Sequence, residues 1–154
     1  MKISSTSFAA GDVLAARFAH DAVPGGKNVI PQLSWGDAPE GTKSFALTCY
    51  DPDAPTGSGY WHLISWDIPV DALSITEGGA LPDGASTTAN DYGFDGYGGP
   101  NPPAGPAHRY IFTVYAMPDE TLGLPAGLTS ANIRFNIVTR SLGSASITGL
   151  FAQP

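Results

Sequence analysis

The amino-acid sequence predicts a mainly β domain, mostly antiparallel, with one C-terminal helix packed on the strands. Three observations carry this expectation. Nineteen glycines and 14 prolines punctuate the 154 residues, far above the roughly 12% that these two residues reach in ordinary chains. Such punctuation suits short strands joined by long ordered loops better than a helical bundle. Runs rich in β-branched and aromatic residues, bounded by turn signals, lie at Ile3–Phe8, Gln32–Trp35, Ser44–Tyr50, Trp61–Ile68 and Tyr110–Met117. The tail "LTSANIRFNIVTRSLGSASITGLF" then changes period. Thr129 or Ser130 can cap a helix start, and Ile133, Ile137, Val138, Leu142 and Ala145 fall near one face of a 3.6-residue repeat.

The intervening segments "PGGKNVIP", "GDAPEGT", "DPDAPTGSG" and "EGGALPDGAS" are loops by composition. The stretch Asp91–Ala107, "DYGFDGYGGPNPPAGPA", has no strand or helix pattern of its own. Ordered loops of that length inside a compact domain are more often functional than idle. Its aromatics Tyr92, Phe94 and Tyr97 either pack over the loop itself or serve a contact between copies. No internal repeat is present, and the chain is long enough to form one domain over residues 1–154 with its own core.

Charge narrows the function classes. Charged residues make up 14% of the chain and the net charge is -7, so a nucleic-acid partner, which needs a basic footprint, is not expected. No cluster of lysine or arginine favours an anionic membrane surface, and no span approaches the roughly 20 apolar residues of a membrane helix. The N-terminus lacks the apolar centre of a signal peptide, so a cytoplasmic location is expected. Cys49 is the single cysteine; in the apolar run "FALTCY" it reads as a buried, inert thiol.

The residues that can carry chemistry cluster in two stretches. In "YDPDAPTGSGYWH" (50–62), Asp-Pro-Asp is good turn chemistry, because Asp side chains accept hydrogen bonds from nearby backbone N–H groups and proline fixes φ. The same segment can instead form a pocket wall. His62 follows at a strand start, and strict alternation places His62, Ile64 and Trp66 on one face. In "GYGGPNPPAGPAHRYIFTVYA", a proline-stiffened loop ends on His108, Arg109 and Tyr110. With Tyr110 in a strand, His108 shares its face and Arg109 points away, toward an acid on the surface. Tyr110 is then either a core aromatic or a pocket residue. Gly98 and Gly99 either bring backbone N–H groups against a ligand's oxygens or merely loosen the loop. The glycine spacing is neither a dinucleotide fingerprint nor a phosphate loop, and Asp91 and Asp95 lack the spacing of a calcium loop.

Taken together, the two stretches resemble the phosphatidylethanolamine-binding protein family, and closely its bacterial and archaeal Raf-kinase-inhibitor-like branch. The likeness extends through "SSTSFAAGD", "PQLSW" and "GTKSFAL" and downstream into the last helix, covering nearly the whole chain. It implies a Greek-key β-sandwich with a small pocket for anions and phosphorylated head groups. Carried over position by position, that pocket falls on Asp51, Asp53, His62, the Gly99–Pro100 turn, His108 and Tyr110. No cofactor, metal or catalytic residue is implied. Three departures stand out: Asp67 in "DIP" where the family commonly has asparagine, Asn101 where bacterial relatives often have cysteine, and "GLFAQP" in place of "GTY" with a terminal arginine, so that Phe151 lacks a hydroxyl.

Two carboxylates beside an anion require an explanation. Either the aspartates orient and charge the histidines, raising their pKa so that imidazolium N–H groups donate to the anion, or one carboxylate pairs with a ligand ammonium group while other donors hold the phosphate. The leading expectation is a small-ligand-binding protein for phosphate or phosphorylated head groups. The family name points to a kinase partner and relatives are linked to protease inhibition, although no recognition segment for either is legible. Bacterial relatives are often dimers, which extends the resemblance to a homodimer. The alternatives are a phosphoester hydrolase, metal-assisted or using His and Asp as acid and base, and an interaction protein with a vestigial pocket. The chain has neither a His-Glu-x-x-His spacing nor a Gly-x-Ser-x-Gly elbow.

Overall fold

In the computed structural model, which describes residues 1–154, two antiparallel sheets enclose one main core. The smaller sheet orders its strands β1 (Lys2–Ser4), β2 (Leu33–Gly36) and β5 (Ser74–Ile75). The larger runs β6 (Ser86–Thr87), β4 (Tyr60–Pro69), β3 (Ser44–Asp51), β7 (His108–Met117) and β8 (Gly143–Phe151). A single α-helix, α1 (Ser130–Arg140), covers the outer face of this sheet. The mainly β sandwich class expected from the sequence is therefore the one observed.

Period-two patterning builds the larger sheet. In β7, His108, Tyr110, Phe112, Val114 and Ala116 are all buried and face the core between the sheets, while Arg109 is exposed. In β3 the inward set is Phe45, Leu47, Cys49 and, at the strand end, Asp51. Antiparallel pairing of β3 with β7, Tyr50 opposite Ile111, brings the end of one strand to the start of the other. Alternation alone thus delivers Asp51, Tyr110 and His108 to the same end of the sandwich, on its inner face. Cys49 lies within the core and burial pushes its thiol pKa up, which keeps it the inert thiol expected.

The helix differs from expectation in its extent. Thr129 caps it, its hydroxyl accepting the Asn132 backbone N–H at 3.2 Å, and Ile133 and Ile137 pack beneath it with Ala46, Ile64 and Met117. It ends at Arg140. Val138 and Leu142 stay 56% and 43% exposed, and Ala145 belongs to a strand. The remainder, "GSASITGLF", is β8, paired with β7 from Ala116 opposite Gly143 to His108 opposite Phe151. Gly143 and the β-branched Ile147 and Thr148 disfavour helix, and the free edge of β7 supplies a ladder that local helical preference cannot match.

Strict alternation also fails in β4, with a consequence for function. The β3–β4 register steps from Cys49 opposite Leu63 to Tyr50 opposite Trp61, leaving His62 as the extra residue of a β-bulge. Trp61 and Ile64 consequently face the helix side, with Tyr50 stacked on Trp61 at 4.2 Å. His62 turns to the opposite face, against Tyr110. The expectation that His62 shares a face with Ile64 and Trp66 is thus corrected: the bulge re-aims one side chain without disturbing the rest of the strand. A second irregularity follows between Phe45 and Leu47. Near it Asp67 has φ of 55°, a left-handed conformation that Asp and Asn adopt readily, and its carboxylate accepts the Leu122 N–H at 2.8 Å.

Candidate functional site

At the end of the sandwich where β3, β4 and β7 converge, a cavity of about 220 Å³ is lined by the re-aimed His62, by Asp51, His108 and Tyr110, and by Tyr60, Tyr92, Thr56, Asn101 and four further residues. Its polar groups are held from behind. Asp51 is 2% exposed; one carboxylate oxygen accepts the Asp53 backbone N–H and the other accepts His108 Nδ1–H, both at 2.8 Å. His108 is left with Nε2 as its uncommitted ring nitrogen. His62 is fixed differently, because its Nδ1 lies 2.6 Å from the Gly98 carbonyl oxygen. A carbonyl only accepts, so Nδ1 carries the proton and Nε2 presents a lone pair. Neither His62 Nε2 nor the Tyr110 hydroxyl has a partner, although both are buried.

Aromatic rings enclose this group. Tyr110 and Tyr92 sit edge-on to His62 at centroid distances of 5.1 and 5.5 Å, and Tyr60 lies 5.3 Å away. Burial lowers the His62 pKa from 6.5, outweighing the upward pull of the Gly98 carbonyl and Asp51. The alternative in which the aspartates charge both histidines therefore does not hold for His62. Burial also raises the Tyr110 pKa, with the Asp51 charge and a contact to the Asp51 carboxylate adding to it, so its hydroxyl keeps its proton. The contact does not have the geometry of a hydrogen bond, which leaves the hydroxyl without a true partner.

Three expected site residues stand outside the lining. Asp53 engages Arg109 instead, accepting from the backbone N–H at 2.9 Å and from Nε and Nη2 at 3.0 and 2.9 Å. The guanidinium holds the Asp53 carboxyl at a pKa of about 2. Arg109 faces an acid on the surface, as its parity in β7 requires. Gly99 and Pro100 form the support behind the wall: Gly99 N–H donates to Asn28 Oδ1 at 2.6 Å, and the Pro100 carbonyl accepts the His20 N–H at 2.9 Å. Gly98 N–H donates to the His62 carbonyl at 2.9 Å. Both glycine N–H groups are thus committed within the fold, bonded to Asn28 and His62 rather than turned toward the cavity or left loose, so neither of the two alternatives the sequence left open describes them. Glycine is needed at position 99 for close approach, since a Cβ there would lie 2.2 Å from the Phe18 carbonyl oxygen.

The long loop is ordered by such bonds. Asn90 accepts the Tyr92 N–H and donates to the Gly96 carbonyl, both at 3.0 Å, and the Tyr92 hydroxyl donates to the Gly99 carbonyl at 2.7 Å. Tyr97 turns inward to donate to the Phe18 carbonyl at 2.8 Å, while Phe94, stacked on Tyr92, remains 39% exposed. Tyr60, Tyr92, Thr56 and Asn101 were not legible as lining residues. Nor was Gln153, whose amide donates to Asn101 Oδ1 and to the Pro102 carbonyl at 2.8 Å each, tying the atypical tail to the cavity mouth. Phe151 is buried beside His108 and packs in the main core.

The family comparison fits this geometry. The sequence profile of the phosphatidylethanolamine-binding proteins matches residues 4–152. The chain belongs to that family. Within it, the chain is 44% identical to YbhB of Escherichia coli K12 over 158 residues, covering 99% of this chain and all of the relative. It is 39% identical over 157 residues to a protein of Aquifex aeolicus, covering 99% and 89% of the two chains. The crystal structure of E. coli YbcL, described as a new member of the mammalian PEBP family, superposes with a TM-score of 0.92 at 34% identity over 99% of this chain and 98% of the other. Membership of the phosphatidylethanolamine-binding family supports a ligand-binding role. No helix is long and apolar enough to cross a membrane, and no group of three or more His, Cys, Asp or Glu side chains is placed to hold a metal ion.

Two of the shifts above set a pH dependence. The folded His62 resists a proton that the unfolded chain accepts near 6.5, so stability is full above that pH and falls as pH drops below it. The Asp53–Arg109 pair contributes above 3.8 and is lost between 3.8 and about 2. Urea midpoints measured across acid pH should therefore begin to decline as pH falls below 6.5 and decline further below 3.8. A flat profile from neutral pH down to the carboxylate range would contradict the buried, neutral His62.

Proposed function

We propose that the protein binds small phosphate-bearing molecules, inorganic phosphate or a phosphorylated head group of the phosphoethanolamine kind, in the cavity at the end of the sandwich. The observation that carries this reading is a pair of buried, unpartnered polar atoms, His62 Nε2 and Tyr110 Oη, on two side chains that line one cavity. A buried polar group without a partner costs about 1–3 kcal/mol, and a ligand that satisfies both recovers that cost on binding. Tyr110 donates to a phosphoryl oxygen, as does His108 through Nε2 when its ring is protonated. Asp51 stays bonded to His108 and orients it rather than facing the anion. Asp53, Gly99 and Pro100 act one layer back, anchoring the turn and the wall. The family membership supports the same reading.

Calorimetric titration of the native chain with phosphoethanolamine should give one binding site per chain. Tyr110→Phe should weaken it by roughly tenfold, the loss of one buried hydrogen bond, and His108→Ala by more. Absence of any binding to the native chain would refute the reading.

A further inference from the structure

The donor and acceptor inventory of the cavity goes further than the class of anion. None of the 12 lining residues is a lysine or arginine. The fixed features are an acceptor, His62 Nε2, whose lone pair is dictated by the Nδ1–H bond to the Gly98 carbonyl, and a buried carboxylate, Asp51, at the same cavity. The donors are the Tyr110 hydroxyl, the Tyr60 hydroxyl at the more open side of the lining, His108 Nε2 when protonated, and the Asn101 amide, whose oxygen is already taken by Gln153. Tyr92 and Thr56 spend their hydroxyl protons on the carbonyls of Gly99 and Gly59. A fully ionised oxyanion placed here meets a lone pair it cannot satisfy and a negative charge behind it. An oxyacid that retains one proton meets a matching acceptor.

We propose that the cavity selects phosphoryl oxyacids still carrying a proton, the P–OH donating to His62 Nε2 while the remaining oxygens accept from Tyr110 and His108. This rests on the phosphate-binding reading and narrows it. The shared chemistry is a protonated phosphate monoester or inorganic phosphate. A phosphodiester, as in an intact phospholipid, has no P–OH, and sulfate has no proton near neutral pH; both leave His62 Nε2 unpaired. Burial, by keeping the His62 ring neutral at ordinary pH, preserves the acceptor. The groups facing it are Asp51 from β3, Tyr60 from its own strand, Asp91 and Tyr92 from the long loop, and His108 and Tyr110 from β7. The ionisable groups among these, besides the tyrosines, are His108, Asp51 and Asp91; burial raises the pKa of the three tyrosine hydroxyls and keeps them protonated.

The test is a set of calorimetric titrations of the native chain at about pH 6, near the second ionisation of a phosphomonoester. Inorganic phosphate is compared with sulfate, and phosphoethanolamine with glycerophosphoethanolamine and with ethanolamine O-sulfate. Phosphate and phosphoethanolamine should each bind about tenfold or more tighter than their counterparts, the effect of leaving one buried acceptor unsatisfied. Equal binding of sulfate and phosphate overturns the selection while leaving the anion site standing. If ethanolamine O-sulfate matches phosphoethanolamine, the ammonium group is the donor and the proposal fails. If glycerophosphoethanolamine matches it, a diester head group is accepted and the proposal fails likewise. If none of the five binds, the anion-site reading falls and takes this inference with it.

Discussion

Replacing Asp51 by alanine is expected to cost about 3 kcal/mol of folding stability and to abolish phosphoethanolamine binding. The carboxylate is almost wholly buried and accepts two hydrogen bonds, one from the Asp53 backbone and one from His108. Its removal strands a buried N–H and frees the imidazole, losses that typically amount to a few kcal/mol when one partner of a buried pair is deleted. Asp53, two residues away, provides the internal comparison. Its side chain is 31% exposed and its partner Arg109 54% exposed, so Asp53→Ala should cost no more than about 1 kcal/mol and leave binding in place. Urea denaturation of both variants with calorimetry alongside decides the matter. Equal losses from the two substitutions would contradict the division of roles between these aspartates.

Gly99→Ala should be comparably severe for a different reason. The added Cβ would lie 2.2 Å from the Phe18 carbonyl oxygen, 2.6 Å from the Ala19 carbonyl carbon and 2.6 Å from the His20 nitrogen. These are backbone atoms and no rotamer change relieves the overlap, so the 98–101 segment must move, at about 3 kcal/mol for overpacking of this kind. Because the Gly98 carbonyl fixes His62 Nδ1, that movement should also disturb the His62 ring and weaken binding. A variant as stable as the native chain would show that the wall has slack not evident in its packing.

The contrast between these two positions shows what the sequence makes legible. Asp51 continues the Phe45, Leu47, Cys49 alternation, and His108 and Tyr110 begin that of β7, so their inward placement follows from period two and antiparallel pairing. Asp53 follows Pro52 beyond the strand and inherits no phase, which is why the motif alone cannot separate it from Asp51. His62 required the bulge opposite Cys49 and Tyr50, and strict alternation misplaces it. β8 was legible in principle through Ala145, Ile147, Gly149 and Phe151, but the helical spacing of Ile133 and Ile137 extends into the same stretch, and only pairing with β7 decides between them. Gly99, Tyr92 and Gln153 act through partners distant in sequence, Phe18, His62 and Asn101 among them, which no local pattern encodes.

The most direct test of the account follows the ring nitrogens of His62 and His108 by ¹⁵N NMR as inorganic phosphate is added near neutral pH. The account predicts that free His62 is a neutral ring protonated at Nδ1, that its Nε2 resonance shifts on titration while Nδ1 stays protonated, and that His108 Nε2 responds in the same concentration range. Ring signals unmoved by saturating phosphate, or a free His62 already protonated at Nε2, would contradict it.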